Sequence, residues 1–242
     1  MKKHNALIWS IAPVVIEGTQ EREMERKRSW AIDGMKIETI VLLRGPTIVE
    51  SEYWAAQAIE PMLSEVKKAE STGVDAIIID CFADPGIEAC REATSVPVIG
   101  CGQAGMLSAL SLGERIALVT ENERGLGYIR RNMYKYGYAH HIVHWGQVVP
   151  ASNNIQDNPD DTRRSLLEAC EMAANASDCD VILIGCTALE PYWEDVKGDF
   201  RADIPVVNPF PCAVKFSELC ISLGVSHSGR CYPYEQNISI TR

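Results

Sequence analysis

The sequence predicts an α/β fold: two similar parallel-sheet βα half-domains related by pseudo-two-fold symmetry, with an active site between them. Two observations carry this. Short aliphatic runs alternate with helical stretches along the chain, the pattern of parallel sheets covered on both faces. One pattern also occurs twice. VDAIIIDCFADPG (74–86) and CDVILIGCTALEP (179–191) each close an aliphatic run on a cysteine. Each then leads through a turn and a helical stretch to a strand carrying proline, VPVIG (96–100) or IPVVNP (204–209). Cys186 follows Cys81 by 105 positions, close to half of the 242 residues.

The elements follow in order. Residues 6–11 are the first strand. MKK followed by ALIWSIAPVVI imitates a secretory leader, but no small-x-small cleavage site precedes the charge run, so the strand reading is preferred. Thr19 is a candidate N-cap for a helix over 20–33, with Glu21 and Glu23 in its first turn and Gly34 at its end. IETIVLL (37–43) is the second strand. A helix then runs to about 71, its apolar face made by Ala55, Ala58, Ile59, Met62 and Val66. AIIID (76–80) and VPVIG (96–100) complete the first set.

In the second half a helix starts near Gln103, and RIALVT (115–120) is a strand. A helix over about 122–136 and the strand HIVHW (141–145) follow. GQVVPASNNIQDNPD (146–160), rich in Asn, Asp and Pro, reads as a loop and a candidate lid. A helix over 162–176, the strand VILIG (181–185) and the strand IPVVN (204–208) end the set. A last helix over about 212–223 is expected to pack back on the first half. The boundaries drawn are therefore 1–99 plus 212–242 for one half and 100–211 for the other.

Composition narrows the function classes. A net charge of −10 disfavours a phosphate-backbone partner, and the dense run EREMERKR (21–28) mixes signs like a solvated helix face. No segment approaches the apolar length of a membrane span. Nine cysteines in a chain this long, without a C-x-x-C pair, fit a reducing cytoplasm better than a secreted disulfide framework or a zinc site. The expected partner is a small-molecule substrate. P-loop, G-x-S-x-G and H-E-x-x-H motifs are absent.

Cys90, Cys170, Cys179, Cys212 and Cys220 read as small core residues. Cys81 and Cys186 are different. Both stand just past a strand, where parallel sheets bind ligands. Free N–H groups there favour thiolate and can hold an enolate oxygen. Two thiols on opposite faces of one carbon suit proton transfer α to a carbonyl: one removes a proton and the other returns one, with no cofactor.

These segments resemble the aspartate/glutamate/hydantoin racemase superfamily, most closely its hydantoin and allantoin branch. GPTIVES (45–51) is similar to that branch's Gly-Pro-x-x-x-Glu-Ser segment. DCFADPGIEACREATSVPVIGCGQA (80–104) is similar to its Cys-Phe-x-Asp-Pro-Gly block, with Gln103 where Glu is frequent. IGCTALEP (184–191) resembles the second cysteine motif. The resemblance implies the duplicated fold, a homo-oligomer and cofactor-independent two-base chemistry by Cys81 and Cys186. It also implies that Phe82, Thr120, Thr187 and Ala188 border the substrate. Glu50 and Ser51 either orient substrate or cap a helix. Ser10 and Pro13, in SIAPVV (10–15), stand where the branch has Asn-Pro-Asn. Thr187-Ala188-Leu189 departs from the branch's Ala-Gly-Met and also lacks the histidine of the amino-acid racemases. The implied substrate is a 5-substituted hydantoin or allantoin. Alternatives are an aspartate- or glutamate-type racemase, a maleate-type isomerase, a single-thiol decarboxylase and a non-catalytic binding protein.

Overall fold

The structure is a computed structural model that describes residues 6–15, 27–32, 34–121, 123–150, 155 and 158–234. Most of the helix expected over 20–33, with its Thr19 cap, lies outside those residues, as does much of the loop at 146–160.

Two four-stranded parallel sheets organise the chain. β1 (Ala6–Ala12), β2 (Met35–Val41), β3 (Ala76–Ile79) and β4 (Val98–Gly100) form the first, in the order β2-β1-β3-β4. β5 (Ile116–Thr120), β6 (Ile142–Gln147), β7 (Val181–Ile184) and β8 (Val206–Val207) form the second, in the order β6-β5-β7-β8. The two orders are the same, so β1 corresponds to β5 and β3 to β7. The repeat read from the two cysteine segments is a repeat of topology.

The helices are α1 (Glu52–Val66), α2 (Ala69–Thr72), α3 (Ile87–Glu92), α4 (Cys101–Leu110), α5 (Glu123–Lys135), α6 (Pro159–Ala176), α7 (Trp193–Asp199) and α8 (Pro209–Leu223). Strand alternation sets the packing. Ile77 and Ile79 of β3 face Met62 and Val66 of α1, while Ile78 faces Phe210 and Val214 of α8. In β7, Ile182 and Ile184 meet Leu166 of α6, while Val181 and Leu183 meet Met106 of α4. Burial on both faces explains why these strands are unbroken aliphatic runs. One core cluster joins Ala55, Phe82 and Ala83 of the first half to Leu118, Ile129 and Met133 of the second, so apolar contact ties the halves together.

Three helix boundaries differ from expectation. The long helix is interrupted at Lys67 and Lys68, which separate α1 from α2. α6 starts at Pro159, capped by the Asn158 side chain, which accepts from the Asp161 amide. α8 starts at Pro209, capped by Asn208, rather than at 212. In both cases proline fits the first helical turn because its missing N–H is not needed there. Beyond α8 the chain lies along the first sheet. His227 Nε2 accepts the Val98 amide of β4 at 2.7 Å, Ser226 Oγ donates to the Ser95 carbonyl at 2.7 Å, and Arg91 Nη1 donates to Tyr232 Oη at 3.2 Å. No helix among the described residues is long and apolar enough to cross a membrane.

Candidate active site

β3 ends at Ile79 and β7 at Ile184, so Cys81 and Cys186 stand at matched places, two residues past matched strands. The segments meet. Thr187 Oγ1 donates to the Asp80 carbonyl at 3.3 Å, joining the residue after one cysteine to the residue before the other. Asn132 of α5 also donates to the Ala83 carbonyl, anchoring the first cysteine turn to the second half.

A cavity of about 620 Å³ opens at this junction. Cys81 and Cys186 both line it, as do Phe82, Thr120, Thr187, Ala188, Glu50 and Pro13. Pro150 and Ile155, from the loop considered as a lid, also reach its wall. Two of the sequence candidates lie elsewhere. Ser51 caps α1, its Oγ accepting the Trp54 amide at 3.4 Å. Ser10 is fully buried in β1 and donates to Asp80 Oδ2 at 3.2 Å. Arg44 pairs with Glu60 on the surface, outside the cavity.

The turn after Cys81 is held from below. Asp84 has a positive φ of 48° and aims its carboxylate at the start of α4, accepting the Gly102 amide at 2.8 Å and the Gln103 amide at 2.9 Å. It therefore serves as a remote cap for that helix. Burial pushes its carboxyl up to about 7, against those two N–H groups and the charge of Arg91. Asp80 makes a buried ion pair with Lys27, and its Oδ1 has no hydrogen-bond partner among the described residues.

Burial pushes the Cys81 thiol up to about 12. The Ala83 N–H opposes this, and the carboxylates of Asp84, Asp80 and Glu121 add to it. Burial raises Cys186 as well, then the charge of Glu121, against N–H groups from Ala188 and Leu189. Charge on Cys81 also raises Cys186. Each thiol thus has backbone donors aimed at it that favour the thiolate.

Sequence reading missed Asp80, Lys27, Asp84 and Glu121. Glu121 lines the cavity beside Cys186, and the thiol there holds its carboxyl down against burial. A signal existed, because Glu121 directly follows the aliphatic run of β5. Among the described lining residues the charged side chains are Glu50, Asp80 and Glu121, with no Lys, Arg or His. No group of three or more His, Cys, Asp or Glu among the described residues is arranged to hold a metal ion.

Comparison with known proteins fits this geometry. The sequence model of the Asp/Glu/hydantoin racemase family matches residues 23–216. A hydantoin racemase of Rhizobium meliloti is 28% identical over 183 residues, covering 76% of this chain and 75% of that protein. A hydantoin racemase of Pseudomonas sp. (strain NS671) is 27% identical over 210 residues, covering 86% and 84%. The solved allantoin racemase from Klebsiella pneumoniae superimposes with a TM-score of 0.89 at 25% identity, covering 98% of this chain and 96% of that one.

Proposed function

The chain belongs to the Asp/Glu/hydantoin racemase family, and we propose that it racemises a neutral hydantoin-like ring compound, with one of Cys81 and Cys186 removing a proton from one face and the other delivering a proton to the opposite face. Its hydantoin- and allantoin-racemising relatives make it an isomerase. The observation that carries the two-thiol reading is the convergence of two cysteines, from matched strand ends of a repeated topology, on one cavity.

The chemistry follows from that placement. A carbon bearing hydrogen next to a carbonyl gives up its proton when the resulting enolate is stabilised. One sulfur, as thiolate, takes the proton: the C–H bond breaks, an S–H bond forms, and the electron pair moves into the enolate. The other thiol then returns a proton to the opposite face, which inverts the centre and leaves that sulfur as thiolate. The enantiomer is processed with the roles exchanged. Backbone N–H groups of Ala83, Ala188 and Leu189 offset part of the charge on whichever sulfur is ionised. Both partners are side chains of this chain, so the proposed reaction is cofactor-independent.

The wall supports a neutral substrate. Aspartate, glutamate or maleate would bring carboxylates toward Glu121, with no cationic side chain among the described lining residues to receive them. A hydantoin or allantoin ring instead presents N–H donors that such oxygens accept. The same reading divides the chain into 1–99 plus 212–242 and 100–211; α8 packs on β3 and β4 of the first half and on α4 as well, and begins at Pro209, just before that boundary.

The test uses enantiopure 5-substituted hydantoins, allantoin, aspartate, glutamate and maleate in deuterated water, followed by NMR and polarimetry. Racemisation with deuterium entering at the inverted centre is expected for the ring compounds. Cys81→Ser and Cys186→Ser should each abolish it, and one variant should still exchange a single enantiomer without inversion. Full racemisation by either variant refutes the two-thiol mechanism. Racemisation of aspartate or glutamate alone, or isomerisation of maleate alone, refutes the substrate class.

A further inference from the structure

The two cysteines occupy equivalent strand ends, but their neighbours are not equivalent. β5 and β7 are parallel neighbours with Val119 opposite Ile184. Beyond the last strand pair the chains stay together: the Gly185 amide donates to the Val119 carbonyl at 2.7 Å, and Thr120 Oγ1 donates to the Gly185 carbonyl at 3.0 Å. Continuing that register sets Glu121 abreast of Cys186, on the cavity wall. In the first half Ile11 stands opposite Ile79. The same continuation sets Pro13 abreast of Cys81, and its side chain neither accepts nor donates a proton. At this one register position the repeat sets a carboxylate beside Cys186 and a hydrocarbon ring beside Cys81.

From this asymmetry we infer that Glu121 is the resting proton acceptor of Cys186, a positioning residue that makes Cys186 the thiolate from which turnover starts. The inference rests on the two-thiol reading above. In the resting pair the thiol stands beside the Glu121 carboxylate on the cavity wall. Its proton passes to that carboxylate ahead of turnover, leaving sulfur with its electron pair. Cys186 then takes the substrate proton, and Cys81 delivers its own thiol proton to the opposite face. The enzyme is left with a neutral Cys186, a protonated Glu121 and a Cys81 thiolate. Its total charge is unchanged, and exchange with water returns the proton from Glu121 to Cys81.

The surroundings fit that role. Burial raises the Glu121 carboxyl, the Cys186 hydrogen bond opposes this, and Glu50, facing it from the first half, raises it further. A carboxylate whose pKa is raised is a better match for a thiol proton than an ordinary one. The groups facing Cys186 are Glu121 and Cys81, with N–H groups from Ala188 and Leu189.

Two readouts test this. With a Glu121 carboxylate, kcat/KM should rise with pH through the carboxyl's titration and then level off. In Glu121→Gln it should fall by about 100-fold or more at pH 7 and climb with pH through the neutral range without levelling. Glu121→Asp should recover part of the loss. The second readout needs no substrate: iodoacetamide alkylation of Cys186 in a Cys81→Ser background, followed by peptide mass spectrometry. With Glu121 the rate should level off at neutral pH. In Glu121→Gln it should drop there and rise about tenfold per pH unit. If Glu121 is only a negative neighbour, removing it eases ionisation, so Gln alkylates faster at neutral pH. That result, or an unmoved alkylation profile, overturns the inference even if activity is lost. Failure of the hydantoins to racemise while the alkylation profile shifts refutes the substrate reading and leaves Glu121's role standing.

Discussion

Replacing Gly102 by alanine should disable the site from beneath. Gly102 lies in the first turn of α4, under the turn that carries Cys81. A Cβ built there would fall 2.1 Å from the Phe82 carbonyl oxygen and 2.9 Å from Asp84 Oδ2. An ordinary carbon–oxygen contact is about 3.3 Å or more, so the turn and the helix start must separate by roughly 1 Å. The obstacle is backbone of the residue after Cys81, so the sulfur moves with it. A misplacement of about 1 Å in a reacting group costs on the order of 100-fold in rate. Overpacking adds a destabilisation of about 1–3 kcal/mol, a fall in Tm of roughly 2–12 °C for a chain of this size. The control is Gly127→Ala on the exposed face of α5, where a Cβ meets no heavy atom within 4 Å. It should keep activity and gain about 0.5–1 kcal/mol from helix propensity. The assay is kcat/KM for a hydantoin alongside thermal unfolding. Gly102→Ala with activity within twofold of the parent and an unchanged Tm would show that the Cys81 turn does not depend on close approach of the backbone at Gly102.

Lys27→Met should cost about 3–5 kcal/mol in urea unfolding, because it leaves the buried Asp80 carboxylate without its cation. Adding Asp80→Asn should recover more than half, and a single variant as stable as the parent would contradict this account. The tail should respond to acid through His227, which burial and Arg91 hold down to about 4 from 6.5. Above pH 6.5 the ring is neutral folded or unfolded, and its contribution is intact. As pH falls from 6.5 through about 4, the unfolded chain gains a proton that the folded ring resists, so stability drops. His227→Gln keeps an acceptor for the Val98 amide and removes the titration. The stability difference between parent and variant should therefore change between pH 7.5 and pH 4.5, and a constant difference would argue against the role given to His227.

The parallel strands were legible because β3 and β7 are buried on both faces and must be continuous aliphatic runs. The cysteines were legible because each ends such a run. What escaped depends on contacts distant in sequence. Glu121 becomes interesting only once β5 is known to lie beside β7, bringing it abreast of a residue 65 positions on. Asp84 belongs to a readable Asp-Pro-Gly turn, but its grip on the α4 amides comes from packing of that turn against the helix. Ser10 and Ser51 are polar residues near the motifs, and sequence does not tell a wall residue from one bonded to Asp80 or capping a helix. α7 is seven residues long and β8 two, too short to give a periodic signal of their own.

The strip of chain after α8 has a consequence for how the protein behaves in company. β4 is the last strand of its sheet, and an uncovered border of that kind invites a strand from another molecule. His227 occupies the Val98 amide, while Ser226 and Tyr234 fasten the strip to Ser95 and Glu70. The tail works as a selvedge, finishing the sheet so that it cannot be extended. A chain cut at Gly224 would keep its cavity and both thiols yet expose that border, so its failure should appear as concentration-dependent clumping before any loss of chemistry.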